Sequence, residues 1–178
     1  MQIYVDTREK ARAIKKILAE FERQGMKSYS NKLDVGDYMS LDNARLVVDR
    51  KQNLTEVCSN MCQQHRRFRE ELVRAQSRGI QLVILVEHGG MIRSIDDVEH
   101  WKNPRLYTYC KKNGIKYSGD VNASIAEYVS NGGQKPPVSG ETLARQMRTM
   151  AERYGVRWEF CSKAETGRRI IEILSDAG

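Results

Sequence analysis

Short apolar runs alternate with longer amphipathic stretches along this chain. Ile3-Tyr4-Val5 is a β-branched and aromatic run of the kind found in a buried strand. In the stretch Glu9–Gln24 that follows, apolar residues recur at the i, i+3, i+4, i+7 spacing of an amphipathic helix, at Ile14, Ile17, Leu18 and Phe21. The chain therefore begins with a predicted strand and a predicted helix, which Gly25 ends.

Residues 26–51 predict three further strands. They cover Met26–Leu33, Gly36–Leu41 and Arg45–Lys51, and Asp42-Asn43 between the last two is a tight-turn signal. Because the connections are short, the sequence favours an antiparallel meander over this region.

Helices and strands then alternate through the rest of the chain. Strands separated by helices indicate an α/β fold with a central mixed sheet flanked by helices. The strand predicted after residue 79 is apolar throughout, as expected for a strand covered on both faces. The predicted elements are a helix over Leu54–Arg78 broken near Asn60, a strand over Ile80–Val86, a helix over Ser139–Tyr154, a strand over Val156–Phe160, and a last helix opened by the capping box of Ser162 and Glu165.

Residues 89–138 differ in character and are interpreted as an insertion within one domain that spans 1–178. Gly89-Gly90 opens the stretch, and a Gly- and Pro-rich loop nearly closes it. Inside it, Lys102–Tyr117 carries five basic residues, three tyrosines and no acidic residue. Two interpretations stay open: a solvated insertion whose tyrosines pack on the domain, or a surface that binds a nucleic-acid strand through Lys111, Lys112 and Lys116.

Composition narrows the class of protein. The 178 residues predict one domain, and 30 Lys and Arg against 23 Asp and Glu give a net charge of +7, which favours a polyanionic partner. No apolar run reaches the length of a membrane span, no signal peptide is recognised, and four cysteines suit a reducing compartment, so we expect a cytoplasmic protein without a membrane partner. Cys58, Cys62 and His65 could form part of a zinc site, but no second ligand pair follows at zinc-site spacing, and free thiols are preferred.

Two carboxylates in the predicted meander carry the candidate chemistry. Paired as predicted, Asp37 and Asp49 lie on neighbouring strands, where carboxylates about 4 Å apart repel by about 4 kcal/mol unless a cation lies between them. An all-oxygen ligand set suits Mg²⁺ or Mn²⁺, and Lys51 points to the same face as Asp49. This arrangement is typical of metal-assisted phosphodiester hydrolysis. Taken singly, Asp49 and Lys51 are better interpreted as a surface ion pair, and Asp37 as an ordinary turn residue.

Three ordered motifs change that balance. They are Val5-Asp6-Thr7-Arg8-Glu9, then Val35-Gly36-Asp37-Tyr38, then Val47-Val48-Asp49-Arg50-Lys51. Together they resemble the nuclease domain of the XPF-type structure-specific endonucleases, the ERCC4-domain family of the restriction-endonuclease-like group. The resemblance covers 1–88 and 139–178.

The resemblance implies a site and a cofactor. It implies that Mg²⁺ or Mn²⁺ is held by Asp37, Asp49 and the main-chain carbonyl of Arg50. It implies that Lys51 positions the water nucleophile or stabilises the transition state. The family usually has Glu where this chain has Asp49, which is one methylene shorter but still an oxygen ligand. Further implied are supporting catalytic roles for Asp6, Arg8 and Glu9, and DNA contacts from Arg66, Arg67 and Arg69.

We therefore expect a magnesium-dependent DNA endonuclease, with branched or flap DNA as candidate substrates. The alternative is a catalytically inactive DNA-binding domain of the same fold, and a more distant one is a scaffold with structural ion pairs. Because no tandem helix-hairpin-helix region is recognised, we expect a stand-alone prokaryotic or bacteriophage version. A homodimer or a partner protein would then supply structure specificity.

Overall fold

A computed structural model describes residues 1–62, 65–117 and 120–176. The strands are β1 (Gln2–Asp6), β2 (Lys27–Asn31), β3 (Tyr38–Ser40), β4 (Leu46–Lys51), β5 (Gln81–Glu87) and β6 (Arg157–Cys161). The helices are α1 (Ala11–Arg23), α2 (Leu54–Cys62), α3 (His65–Ser77), α4 (Ile95–Val98), α5 (Arg105–Lys112), α6 (Val121–Ser130), α7 (Gly140–Tyr154) and α8 (Thr166–Ser175).

The six strands form one mixed sheet in the order β2-β1-β3-β4-β5-β6. β3 runs antiparallel to both β1 and β4, while β4, β5 and β6 are mutually parallel. β5 lies in the middle of this parallel half and is buried along nearly its whole length. The predicted α/β fold with a helix-flanked mixed sheet is therefore confirmed.

The predicted antiparallel meander over residues 26–51 is wrong in one strand. β3 and β4 do pair antiparallel, with Tyr38 opposite Val48. β2, however, pairs parallel with β1 at the edge of the sheet, and its five residues are all exposed. The cause is α1, which carries the chain back across the sheet, so that the strand after the helix runs parallel to the strand before it.

The two faces of the sheet are covered by different helices. α1 and α8 cover one face, where Ile14 and Ile170 pack against inward residues such as Val48. α2, α3 and α7 cover the other, where Leu54 and Phe68 belong to a second buried cluster. Successive residues of β4 therefore point into different layers.

In the described part of residues 89–138, α4, α5 and α6 form a helical layer, of which α4 packs against α7. Val98 and Cys110 are fully buried. The α4 end contacts the start of α7 so closely that a Cβ on Gly140 would lie 2.3 Å from the Val98 carbonyl oxygen. Asn103 fixes the connection by donating a hydrogen bond to the Val138 carbonyl at 2.9 Å.

Several helix boundaries refine the sequence-based expectations. α2 continues past Asn60, where the sequence predicts a break, and Gln63 and Gln64 between α2 and α3 lie outside the described residues. α8 begins at Thr166, and of the predicted capping box the structure shows the Glu165 carboxylate accepting from the Ser162 N–H at 2.8 Å. Within the described ranges, no helix combines the length and the apolar character needed to span a bilayer.

Candidate active site

A cleft of about 220 Å³ opens beside the end of β4. Its walls come from the β1 and β4 ends, the turn before β3, and the inner faces of α2 and α3. Its floor is acidic, and basic side chains stand at its rim. The lining residues are Arg8, Asp37, Asp49, Lys51, Glu56, Asn60, Arg67, Phe68 and Glu71.

Asp37 is held in the cleft by its own backbone and by β4. Its N–H donates to the Val48 carbonyl at 2.9 Å, and its carbonyl accepts from the Asp6 N–H at 2.8 Å. Its side-chain Oδ2 accepts from the backbone N–H of Arg50 at 2.8 Å. The turn and the strand thus fix the orientation of this carboxyl group before any ligand arrives.

Asp49 and Lys51 share the cleft face of β4, as the alternation of a strand requires. Lys51 Nζ donates to Asp49 Oδ1 at 2.8 Å and lies 2.6 Å from Oδ2. Despite that short distance, Asp49 Oδ2 is buried and accepts no well-directed hydrogen bond from the residues that the structure describes. Burial alone would lower the pKa of Lys51, but the Asp49 and Asp37 carboxylates raise it above its ordinary value, so the side chain is an ammonium ion.

The carboxylate pair fits a divalent cation. Burial, and then the charge of Asp49, raise the pKa of Asp37 well above its ordinary value, because two carboxylates at this site repel. Across the described ranges, no three His, Cys, Asp or Glu side chains converge as a metal site. Mg²⁺ is usually held by only one or two carboxylates, together with waters and substrate phosphate. Asp37 and Asp49, with the buried Oδ2 lacking a directed donor, suit that ion and its Mn²⁺ analogue.

Asp6 orients Arg8 at the rim of the cleft. The buried Asp6 carboxylate accepts from Arg8 Nε at 2.6 Å and from the Arg8 and Leu33 backbone N–H groups at 2.7 and 2.6 Å. Although burial opposes it, these hydrogen bonds lower the pKa of Asp6 below its ordinary value. The Arg8 side chain remains 48% exposed and reaches the cleft with its charge intact.

Glu9 faces the opposite layer and does not line the cleft. Its Oε2 accepts from Tyr38 OH at 3.0 Å and from the Arg50 guanidinium at 3.1 Å. The Arg50 side chain is buried there and also donates to Glu87 Oε1 at 2.6 Å. Arg50 therefore contributes its backbone N–H to Asp37 and places its side chain on the far face of the sheet. The role of its main-chain carbonyl as a metal ligand stays a prediction.

The predicted DNA contacts are divided among four places. Arg67 lines the cleft, whereas Arg66 is exposed on the outer face of α3 and pairs with Glu70 at 3.0 Å. Arg69 Nε donates to Tyr154 OH at 3.1 Å. The remaining predicted contacts are exposed in and after α5, outside the cleft lining, at Lys111, Lys112 and Lys116.

Glu56, Asn60 and Glu71 line the cleft but were not singled out from the sequence. Each lies on a helix, and the motifs reveal only the strand and turn residues. The signal that could have found them is helical spacing. Glu56 and Asn60 are four residues apart on α2, as Arg67 and Glu71 are on α3, so each pair shares a helix face.

The two cysteines on α2, which the sequence offered as candidate zinc ligands, are free thiols. Burial raises the pKa of the Cys58 thiol to about 11.

The family is shown by a match that spans nearly the whole chain. The model of the ERCC4 domain family matches residues 5–173. This chain belongs to the ERCC4 domain family. The resemblance drawn from the three ordered motifs is thereby confirmed, and the matched range includes the helical layer at 89–138.

Solved structures show the same fold. XPF from Aeropyrum pernix is 19% identical with a TM-score of 0.57, over 98% of this chain and 63% of that one. A second structure, XPF from Aeropyrum pernix in complex with DNA, is 19% identical with a TM-score of 0.58, over 99% of this chain and 68% of that one. The comparison with curated proteins finds no match. This chain thus spans less than two thirds of the first of these structures.

Proposed function

We propose that this ERCC4-domain protein is a DNA endonuclease that depends on a divalent cation. The observation that carries the proposal is the cleft carboxylate pair, Asp37 and Asp49, with Lys51 beside it and Arg8 and Arg67 at the rim. Acidic ligands at the bottom of a cleft and cationic side chains at its mouth suit a phosphodiester, whose oxygens are negatively charged. Family membership supports a nuclease, and the XPF structure in complex with DNA supports DNA as the substrate.

Each cleft residue then has a role set by its position. Asp37 and Asp49 hold the cation, which when bound supplies positive charge at the phosphate and a lowered pKa for a water molecule. Arg8, oriented by Asp6, binds a phosphate oxygen, and Arg67 binds the nucleic-acid backbone from the α3 side. The Lys51 ammonium group neutralises charge that develops on the reacting phosphate, because the neighbouring Asp49 and Asp37 carboxylates outweigh the effect of burial and keep it protonated.

Glu9 has a supporting role in this proposal. It acts through Arg50, whose buried side chain it binds and whose backbone N–H binds Asp37. The main-chain carbonyl of Arg50 is proposed as a further cation ligand. Arg66, Arg69 and the lysines of the helical layer are proposed as contacts to flanking phosphates, which set the register of the substrate without reading its sequence.

Branched or flap DNA is proposed as the preferred substrate. The experiment compares cleavage of duplex, single-stranded, splayed-arm, flap and four-way-junction DNA, each with Mg²⁺, with Mn²⁺ and with chelator. Asp37→Asn and Asp49→Asn are expected to abolish most cleavage, while Asp42→Asn, at an exposed turn before β4, serves as the matched control. Metal-independent cleavage, or full activity of Asp37→Asn, would overturn the proposal.

The catalytically inactive DNA-binding domain remains the competing function. It predicts salt-sensitive DNA binding in the absence of any cleavage across the same panel. The presence of both carboxylates and the lysine in one cleft favours the enzyme, because a binding domain gains nothing from acidic groups facing a phosphate. The homodimer or partner protein expected from the sequence is tested by measuring mass in solution with and without DNA.

A further inference from the structure

Glu71 makes a contact across the cleft that the proposed chemistry leaves unexplained. It lies on α3, four residues after Arg67, and its side chain lines the cleft. Its Oε1 accepts a hydrogen bond from the backbone N–H of Gly36 at 3.0 Å. A helix that covers one wall of the cleft is thereby joined to the turn that carries Asp37.

The turn at Gly36 has little freedom of its own. Gly36 has φ +65°, a conformation that side-chain-bearing residues rarely adopt. A Cβ at this position would lie 2.5 Å from Val47 Cγ1 and 3.0 Å from the Val48 carbonyl oxygen. This tightly packed turn presents the backbone N–H of Gly36 to α3, where it donates to the Glu71 carboxylate.

We infer that Glu71 is a positioning residue that fixes Asp37 for cation binding by holding the Gly36 N–H. The inference rests on the proposed function, in which Asp37 is a cation ligand. Without Glu71, the turn would keep its backbone hydrogen bonds to β1 and β4 but lose the hydrogen bond from Gly36 to α3. Asp37, the next residue, would keep its hydrogen bonds to Asp6, Val48 and Arg50 but lose the restraint that reaches it through the Gly36 N–H.

This contact places the turn beside the helix that carries the proposed phosphate contact. Arg67 and Glu71 lie one turn apart on α3, so one face of the helix carries both side chains. The positioning role requires the hydrogen bond but not the negative charge. This distinction separates a positioning role from direct cation binding by Glu71.

The test uses two variants and a control on the same helix. Glu71→Gln keeps an oxygen acceptor for the Gly36 N–H and removes the charge, whereas Glu71→Ala removes both. Glu70→Gln removes the same charge at the neighbouring exposed position, where Glu70 pairs with Arg66 outside the cleft. The measurements are Mn²⁺ affinity without DNA, hydrogen exchange of the Gly36 amide, and the single-turnover cleavage rate in Mg²⁺.

Glu71→Ala is expected to weaken Mn²⁺ binding at least about fivefold, to accelerate Gly36 amide exchange, and to slow cleavage, since a buried N–H loses its partner. Glu71→Gln and Glu70→Gln are expected to remain within about twofold of the wild type in Mn²⁺ affinity. If Glu71→Gln weakens Mn²⁺ binding as much as Glu71→Ala, or if neither variant changes it, the inference is overturned. A wild-type protein that binds Mn²⁺ but cuts no DNA would overturn the proposed function alone, because the first two measurements need no substrate.

Discussion

Replacing Asp37 by Asn should make the cation-free protein more stable while it removes most cleavage. Burial and the Asp49 carboxylate raise the pKa of Asp37, which means that its ionised form is disfavoured in the folded protein. Asn has nearly the same shape and carries no charge. Its side-chain oxygen can still accept the Arg50 N–H bond, which is 2.8 Å long in the wild type.

The gain in stability should depend on pH. Since the folded-state pKa of Asp37 lies above the ordinary value of 3.8, its contribution to stability is fully present below that value and is lost as the pH rises through the folded-state pKa. Asn at position 37 does not ionise, so the variant does not lose stability in this way as the pH rises. The free energy of unfolding of the variant should therefore exceed that of the wild type by more at about pH 8 than at about pH 5.

Added cation should reverse the order of the two proteins. A cation present at 100 times its Kd stabilises the folded state by about 2.7 kcal/mol. For a chain of 178 residues, each kcal/mol changes Tm by about 2–4 °C, so the wild-type Tm should rise by about 5–10 °C. Asp37→Asn, which loses one of two carboxylate ligands, should show a much smaller rise. The assay is thermal unfolding in chelator and in Mg²⁺, with Asp42→Asn as the control.

Two results would refute this reasoning. One is an Asp37→Asn protein that is less stable than the wild type in chelator at every pH, which would mean that the Asp37 charge is stabilised by its surroundings. The other is an equal rise of Tm with Mg²⁺ in both proteins, which would place the cation elsewhere. The single-turnover rate of the variant, expected to fall on the order of a hundred- to a thousandfold, is measured on the same preparations.

Three further predictions address other parts of the site. Lys51→Ala should lower the single-turnover rate by more than it lowers DNA affinity in Ca²⁺, because its charge is needed mainly in the transition state; equal losses would make it an ordinary phosphate contact. Gly36→Ala should lower the free energy of unfolding by about 2–4 kcal/mol in chemical denaturation, from backbone strain and overpacking against Val47; a loss below about 0.5 kcal/mol would contradict the tightness of the turn. Replacing Lys111, Lys112 and Lys116 together by Ala should lower the slope of log DNA affinity against log salt concentration by about 0.9 per lost phosphate contact. An unchanged slope would mean that these lysines have a structural role.

The strands, and the placement of Asp37, Asp49 and Lys51 in one cleft, could be predicted from the sequence because both follow local patterns. The motif at β4 shows an alternation of period two, so the spacing of Asp49 and Lys51 alone is enough to place both on one face. The parallel position of β2 could not be read from the short segments around it. It depends on how α1 packs, which is a property of the whole sheet.

The cleft residues on α2 and α3 were harder to predict, because their positions also depend on how distant segments pack together. Glu56 and Glu71 are acidic residues on amphipathic helices, where most such residues face solvent. What distinguishes Glu71 is a partner 35 positions earlier in the chain, the Gly36 N–H. Likewise, nothing local to Glu9 shows that it joins the buried Arg50 side chain rather than the cleft. Both facts arise from tertiary contacts between distant segments.

Both faces of β4 carry charged side chains with defined partners, and this limits where the chain can gain or lose residues during evolution. Asp49 and Lys51 face the cleft, and Arg50 between them forms buried ion pairs on the far face. One residue gained or lost inside Leu46–Lys51 would exchange the two sides, sending the Arg50 guanidinium into the cleft and the Asp49 carboxylate into an apolar layer. The turn at residues 41–45 is exposed along most of its length and can absorb such changes. Natural insertions and deletions should therefore collect in that turn and be absent from the strand that follows it.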